Sequence, residues 1–157
     1  MQTHIQARMK NPAYVLPDGL KGIGSVFKAV AGGGLEPALQ EIVALRASQI
    51  NGCSACVHAH HANLVKAGES SERIASVAAW REAPFYDAAE RAALALTEAV
   101  TRLADRSGEA VDDALWDEVT RHFDERQTSA LLLLIGVTNM FNRLNAAIRE
   151  PAGTTWG

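Results

Sequence analysis

The chain has no basic tract: among its 157 residues Lys and Arg number 15 against 18 Asp and Glu, for a net charge of −3. A surface that tracks phosphates needs clustered positive charge, so nucleic acid is not an expected partner. Long apolar runs are missing as well. The longest, Ala130 to Val137, falls short of the roughly 18 residues a membrane span requires, and no membrane association is expected. Polar residues occupy Met1 to Lys10, where a signal peptide would carry an apolar block, which leaves the cytoplasm as the expected location. No stretch alternates apolar and polar residues long enough to argue a strand. Cysteine is scarce too. The two present, Cys53 and Cys56, stand three apart, and a reducing compartment would keep a purely structural disulfide from forming there, so the pair points to redox or metal chemistry.

What is present suits an ordered α-helical domain. Apolar residues make up 48% and charged residues 21%, near the average for soluble globular proteins. A chain this long buries roughly 70% of its unfolded surface on folding, enough for one sizeable core. One domain over 1–157 is expected, all-α, with six to seven helices.

The first helix is expected from about Asp18 to Ala31, ending at Gly32, Gly33 and Gly34 as a flexible break. A second begins with Pro37 in its first turn and reaches about Ile50. Asn51 and Gly52 signal a turn, and a third helix runs from near Cys53 to Ala67, closed by Gly68. A short helix is expected from about Ser71 to Arg81. Asp87 with Glu90 forms a capping-box pattern for a helix reaching Leu103; Asp112 starts another that ends near Phe123. A second capping-box pattern, Asp124 with Gln127, opens a long helix from about Glu125 to Arg149, which Pro151 terminates. Within it Leu131 to Ile135 are apolar nearly all round, which predicts deep burial or a subunit contact.

The dithiol thus sits at a helix N-terminus. Residues three apart share a helix face and lie within reach of a disulfide. The unpaired N–H groups and positive dipole end there favour thiolate over thiol, lowering a cysteine pKa below its free value of about 8.5. His60 follows Cys56 by four residues, one turn along the same side, placed to accept its proton. That asymmetry makes Cys56 the attacking thiol and Cys53 the one that resolves its sulfenic acid as a disulfide. On the preceding helix Glu41 has Pro37, Ala38, Ala44 and Leu45 at helical spacing. A carboxylate in that setting is expected to be desolvated, with a raised pKa suited to relaying protons.

Plainer readings stand beside these. Two cysteines three apart can be small core residues, and a glutamate on an apolar face can lie at its edge and reach water. His58 and His61 are expected to be exposed or structural. Zinc held by both cysteines with His60 or His61 is a rival, although one helix cannot easily surround a tetrahedral ion. Gly22 and Gly24 lack the third glycine and the preceding strand of a dinucleotide fingerprint, and no cofactor is expected.

Glu41, eleven residues, Cys53-Ser54-Ala55-Cys56, three residues and His60 together resemble the AhpD-like alkylhydroperoxidase family of the carboxymuconolactone decarboxylase superfamily. Similarity extends through Leu45 to Cys53, Ala79 to Ala83, Glu90 to Leu94 and Asn139 to Arg143, so the related core spans about 35–149. The resemblance implies an AhpD-like helical fold assembled as trimers or hexamers, and a thiol-dependent peroxidase. In such an enzyme Cys56 is oxidised by a hydroperoxide, Cys53 resolves it, and Glu41 and His60 relay protons. It also implies a dithiol reductant such as a lipoylated or thioredoxin-like protein. Family members often carry an aromatic residue where this chain has Ala55, and its loss would leave the pocket more open. A dithiol exchange or stress-sensing protein with little peroxidase turnover is the alternative.

Overall fold

The computed structural model describes residues 3–155. Among the described residues eight α-helices make up the fold: α1 (Pro12–Val15), α2 (Pro17–Ala31), α3 (Pro37–Asn51), α4 (Ser54–Lys66), α5 (Ser71–Ala75), α6 (Ala88–Thr101), α7 (Asp113–His122) and α8 (Glu125–Ile148). The expected count of six to seven is therefore one or two short. The helix that sequence reading passes over is α1, a single turn with Pro12 in its first position and Asn11 accepting the Ala13 N–H. Four residues are too few to show a periodicity.

The expected helix over Ser71 to Arg81 is also corrected. It stops at Ala75 and continues as a 3-10 turn over Ser76–Ala79. The Ser76 hydroxyl donates to the Glu72 carbonyl at 2.6 Å, the kind of local side-chain bond that competes with an α-helical ladder. Both capping boxes form, at Asp87 with Glu90 and at Asp124 with Gln127.

Helix α3 is the axis of the packing. Leu39 and Val43 join one core cluster with Leu96 of α6, Val119 of α7 and Leu131 and Ile135 of α8. On its other side Ile42 and Leu45 join Leu64, Ile74, Val77 and Trp80. A helix enclosed on several sides cannot show one apolar stripe, which is why its pattern reads as only weakly amphipathic. Helix α8 splits the apolar run. Leu131, Leu134 and Ile135 are buried, while Leu132 and Leu133 face outward. By length and composition α8 is also apolar enough to cross a membrane, but its buried face carries Thr128, Thr138, Asn142 and Asn145, of which Thr128 and both asparagines are hydrogen-bonded inside the bundle.

The three glycines after α2 are a packed joint, which corrects the expectation of a flexible break. Arg126 of α8 donates to the Gly32 carbonyl at 2.6 Å and Gln127 to the Gly34 carbonyl at 3.1 Å. A Cβ on Gly33 would collide with Ala130 Cβ. Gly33→Ala is expected to lower stability by about 1–3 kcal/mol through overpacking, with a matching fall in the urea midpoint.

Candidate functional site

The site begins where α3 ends. Gly52 closes α3 in the left-handed region at φ 66°, which a residue with a Cβ adopts only at a cost. This turn sends α4 back along α3, so residues far apart in sequence come together across the two helices. Cys53 is the N-cap of α4 and its Sγ accepts the Cys56 N–H at 3.3 Å. Cys53 and Cys56 form a disulfide with Cα atoms 5.3 Å apart. Both sulfur-bearing residues are buried, and with Ala55 they make a small cluster of their own.

One turn along α4, His60 Nδ1 lies 2.7 Å from Glu41 Oε2 of α3. The expectation of a desolvated Glu41 is corrected: its side chain keeps 29% of its accessibility and that of His60 24%. The pair instead stands at the rim of a cavity of about 380 Å³. Cys56 and His60 line this cavity together with apolar groups including Leu20, Ile23, Phe27, Leu134 and Phe141. Three of the four sequence-predicted site residues, Glu41, Cys56 and His60, therefore line one cavity, and Cys53 joins them through its disulfide to Cys56. Ala55 does not line the cavity. It belongs instead to the small buried cluster of Cys53 and Cys56.

The structure adds residues that sequence reading passed over. Asn145 of α8 donates from Nδ2 to Cys56 Sγ at 3.3 Å, and Asn11 donates to Asn145 Oδ1 at 2.7 Å. Further along the same α3–α8 seam, Asn142 donates to Ser48 Oγ at 3.0 Å. Asn51 donates to the Oδ1 atoms of both Asn139 and Asn142 at 2.9 Å. Their signal in sequence was the spacing Thr138, Asn142, Asn145, a polar stripe inside an otherwise apolar helix. Buried polar groups need partners: both asparagines find theirs on neighbouring elements, Thr138 lines the cavity, and among the described residues no buried side-chain polar atom lacks a partner.

The two cysteines border different cavities. Cys53 lines a second cavity of about 620 Å³ with Gly52, Ser54, Ala146 and Arg149, while Asn145 contributes to both. His58 and His61 are exposed and lie along a separate groove over α5. Among the described residues no three His, Cys, Asp or Glu side chains converge to hold a metal ion.

Behind the site Glu98 of α6 is nearly enclosed. It accepts from Arg46 Nε and Trp80 Nε1, each at 2.9 Å, and pairs with Arg81 at 2.8 Å and Arg102 at 3.3 Å. Burial pushes its carboxyl pKa up, but hydrogen bonds from Trp80, Arg81 and Arg46 outweigh that and hold it below the ordinary value.

Comparison with known proteins places this arrangement. The sequence pattern of the carboxymuconolactone decarboxylase family matches residues 17–99. The uncharacterised protein YdfG of Bacillus subtilis is 33% identical over 140 residues, 89% of this chain and 93% of its own length. A crystal structure of a protein of unknown function from Agrobacterium tumefaciens, suggested to be the antioxidant defence protein AhpD, is 30% identical. It superposes with a TM-score of 0.84 over 96% of this chain and all of its own. The debrominase Bmp8 shares the fold alone, at 24% identity and a TM-score of 0.75 over 88% of this chain and 73% of its own.

Proposed function

Since the chain belongs to the carboxymuconolactone decarboxylase family and has the AhpD-like fold, we propose that it is a thiol-dependent peroxidase acting on organic hydroperoxides. The observation that carries this reading is the shared cavity, in which Cys56 faces the Glu41 and His60 pair across a mostly apolar wall. In the reduced protein the Cys56 thiolate attacks the terminal peroxide oxygen. The O–O bond breaks, the alkoxide takes a proton relayed through His60, and Cys56 is left as a sulfenic acid. Cys53 then attacks the Cys56 sulfur, water leaves, and the disulfide forms. An external dithiol completes the cycle by reducing the disulfide, with its own two thiols oxidised to a disulfide. The second cavity, beside Cys53, offers it a route separate from that of the hydroperoxide.

The apolar lining favours a hydroperoxide with a hydrocarbon body over hydrogen peroxide, because burying apolar surface supplies binding that the smaller oxidant lacks. Exposed Leu132, Leu133 and Met140 on α8 support a homo-oligomer, in line with the trimers or hexamers expected from the family.

Full-length protein supplied with cumene hydroperoxide and a lipoyl dithiol should consume both continuously. A disulfide that forms once and never cycles would favour the dithiol-exchange reading, which the separate access to Cys53 also suits. Within the peroxidase reading, Glu41→Gln keeps the shape and removes the carboxylate that holds the His60 ring through Nδ1. Turnover near neutral pH should fall about a hundredfold, read from steady-state rates, with folding unchanged because the pair is at the cavity rim.

A further inference from the structure

We propose that Asn11 and Asn145 form a hydrogen-bond relay that makes Cys56, rather than Cys53, the sulfur that carries the thiolate; this deepens the reading of Cys56 as the attacking thiol and rests on it. The chain of bonds has only one possible direction. The backbone N–H of Ala13 can only donate, and it donates to Asn11 Oδ1 at 3.1 Å. With its oxygen engaged, Asn11 turns its amide nitrogen to Asn145 Oδ1 at 2.7 Å. Asn145 must then present its own nitrogen to Cys56 Sγ, 3.3 Å away. A backbone group thus fixes both side-chain amides, and neither can flip without leaving two acceptors or two donors face to face. Asn145 is 1% exposed and Asn11 7%, so these bonds are largely shielded from bulk water.

The position of Asn145 is itself fixed. Its carbonyl accepts the Glu150 N–H at 2.9 Å where α8 is capped, so the donor cannot drift away from the sulfur. The relay opposes a bias built into the helix. As N-cap, Cys53 Sγ already accepts a backbone N–H from Cys56, and a helix start alone would leave Cys53 the better stabilised anion. Both contacts are made to sulfurs of the disulfide; once it is reduced, the Asn145 amide, still held by Asn11, is a donor aimed at the Cys56 thiolate in a low-dielectric setting, where a hydrogen bond to the charged form lowers a pKa. Asn11 and Asn145 are positioning residues, since neither takes or gives a proton. The titratable groups facing Cys56 are Cys53 in its own turn and Glu41, His60 and Tyr14 around the cavity.

The test uses the fully reduced, full-length protein and limiting iodoacetamide over a range of pH, with the labelled cysteine identified by peptide mass spectrometry. Asn145→Ala removes the donor. Asn11→Ser keeps a hydroxyl that can cap α1 but is too short to reach Asn145. Neither substitution adds charge. In the unaltered chain Cys56 should be labelled first. In both variants the midpoint of Cys56 labelling should rise by about one pH unit, and Cys53 should become the first cysteine labelled. A role confined to folding would move the melting temperature and leave the midpoint and the order unchanged. Unmoved midpoints in both variants, or Cys53 labelled first in the unaltered chain, would overturn the relay. A shift in Asn145→Ala alone would overturn the part assigned to Asn11. Labelling requires no hydroperoxide, so failure of the peroxidase reading shows separately, as absent turnover with the labelling order intact.

Discussion

Cys56→Ser should bring hydroperoxide turnover to zero, whereas Cys53→Ser should consume a single equivalent of hydroperoxide and stop with Cys56 as a sulfenic acid. The difference follows from where each sulfur sits. Cys56 faces the cavity shared with His60 and Glu41, and a serine hydroxyl there is neither ionised near neutral pH nor able to rest as a stable oxidised intermediate. Cys53 is placed differently, at the N-cap of α4, where its sulfur accepts the Cys56 N–H. Serine is among the preferred N-cap residues, so Cys53→Ser retains the helix start and removes only the resolving thiol. A sulfenic-acid-specific dione should label Cys56 in that variant after one equivalent of hydroperoxide. In the unaltered protein the same treatment should give a disulfide, two hydrogens lighter and unlabelled. Full turnover in Cys56→Ser would place the chemistry elsewhere and sink the proposed mechanism.

The capping boxes, the turn at Asn51 and Gly52 and the Cys53 to His60 helix were all legible because each rests on residues within one or two turns of each other. Glu41 and His60 were legible as candidates for a related reason. Once Gly52 reverses the chain, α4 must run back along α3, and side chains about equally far from that turn face one another. Asn145 was not legible. Its contacts are with Cys56 and Asn11, 89 and 134 positions away, and the polar stripe it forms with Thr138 and Asn142 does not say which partner each member meets. Glu41 misled in the opposite sense. Small apolar neighbours on its own helix suggested burial, but what lies over it is a cavity rather than another element. Helix α1 escaped because a single turn has no period, although Asn11 followed by Pro12 was a start signal on its own terms.

Glu98 shows the same gap between local pattern and long-range packing, and it carries the largest expected loss of stability. Sequence spacing pairs it with Arg102 one turn away, an arrangement worth a few tenths of a kcal/mol when exposed. In the fold its carboxylate also joins Arg46 of α3 and the indole of Trp80, with only 5% of its side chain accessible and 10% of that of Arg46. Glu98→Ala would leave the Arg46 guanidinium buried without a counter-charge and the Trp80 N–H without an acceptor. Breaking a buried pair in this way costs about 3–5 kcal/mol, a large part of the roughly 5–15 kcal/mol by which domains are stable. The urea midpoint should fall accordingly. Glu98→Gln retains an acceptor for Trp80 and should cost less.

The contribution also has a sign in pH. Because the folded carboxyl pKa lies below its ordinary value, the charged form's stabilisation is fully present above the unfolded pKa and is lost as pH falls through the folded one. The stability gap between the unaltered chain and Glu98→Gln should therefore hold near neutrality and narrow only in acid, below about pH 4. A gap that widened on acidification would mean that Glu98 is held protonated, and the Arg46 pair could not then be what joins α3 to α6. Since α3 also carries Glu41 and Ser48, loosening it should lower peroxide turnover only in step with the unfolded fraction. That separates Glu98, which holds the site's scaffold, from Cys56, whose loss should leave a folded and inactive protein.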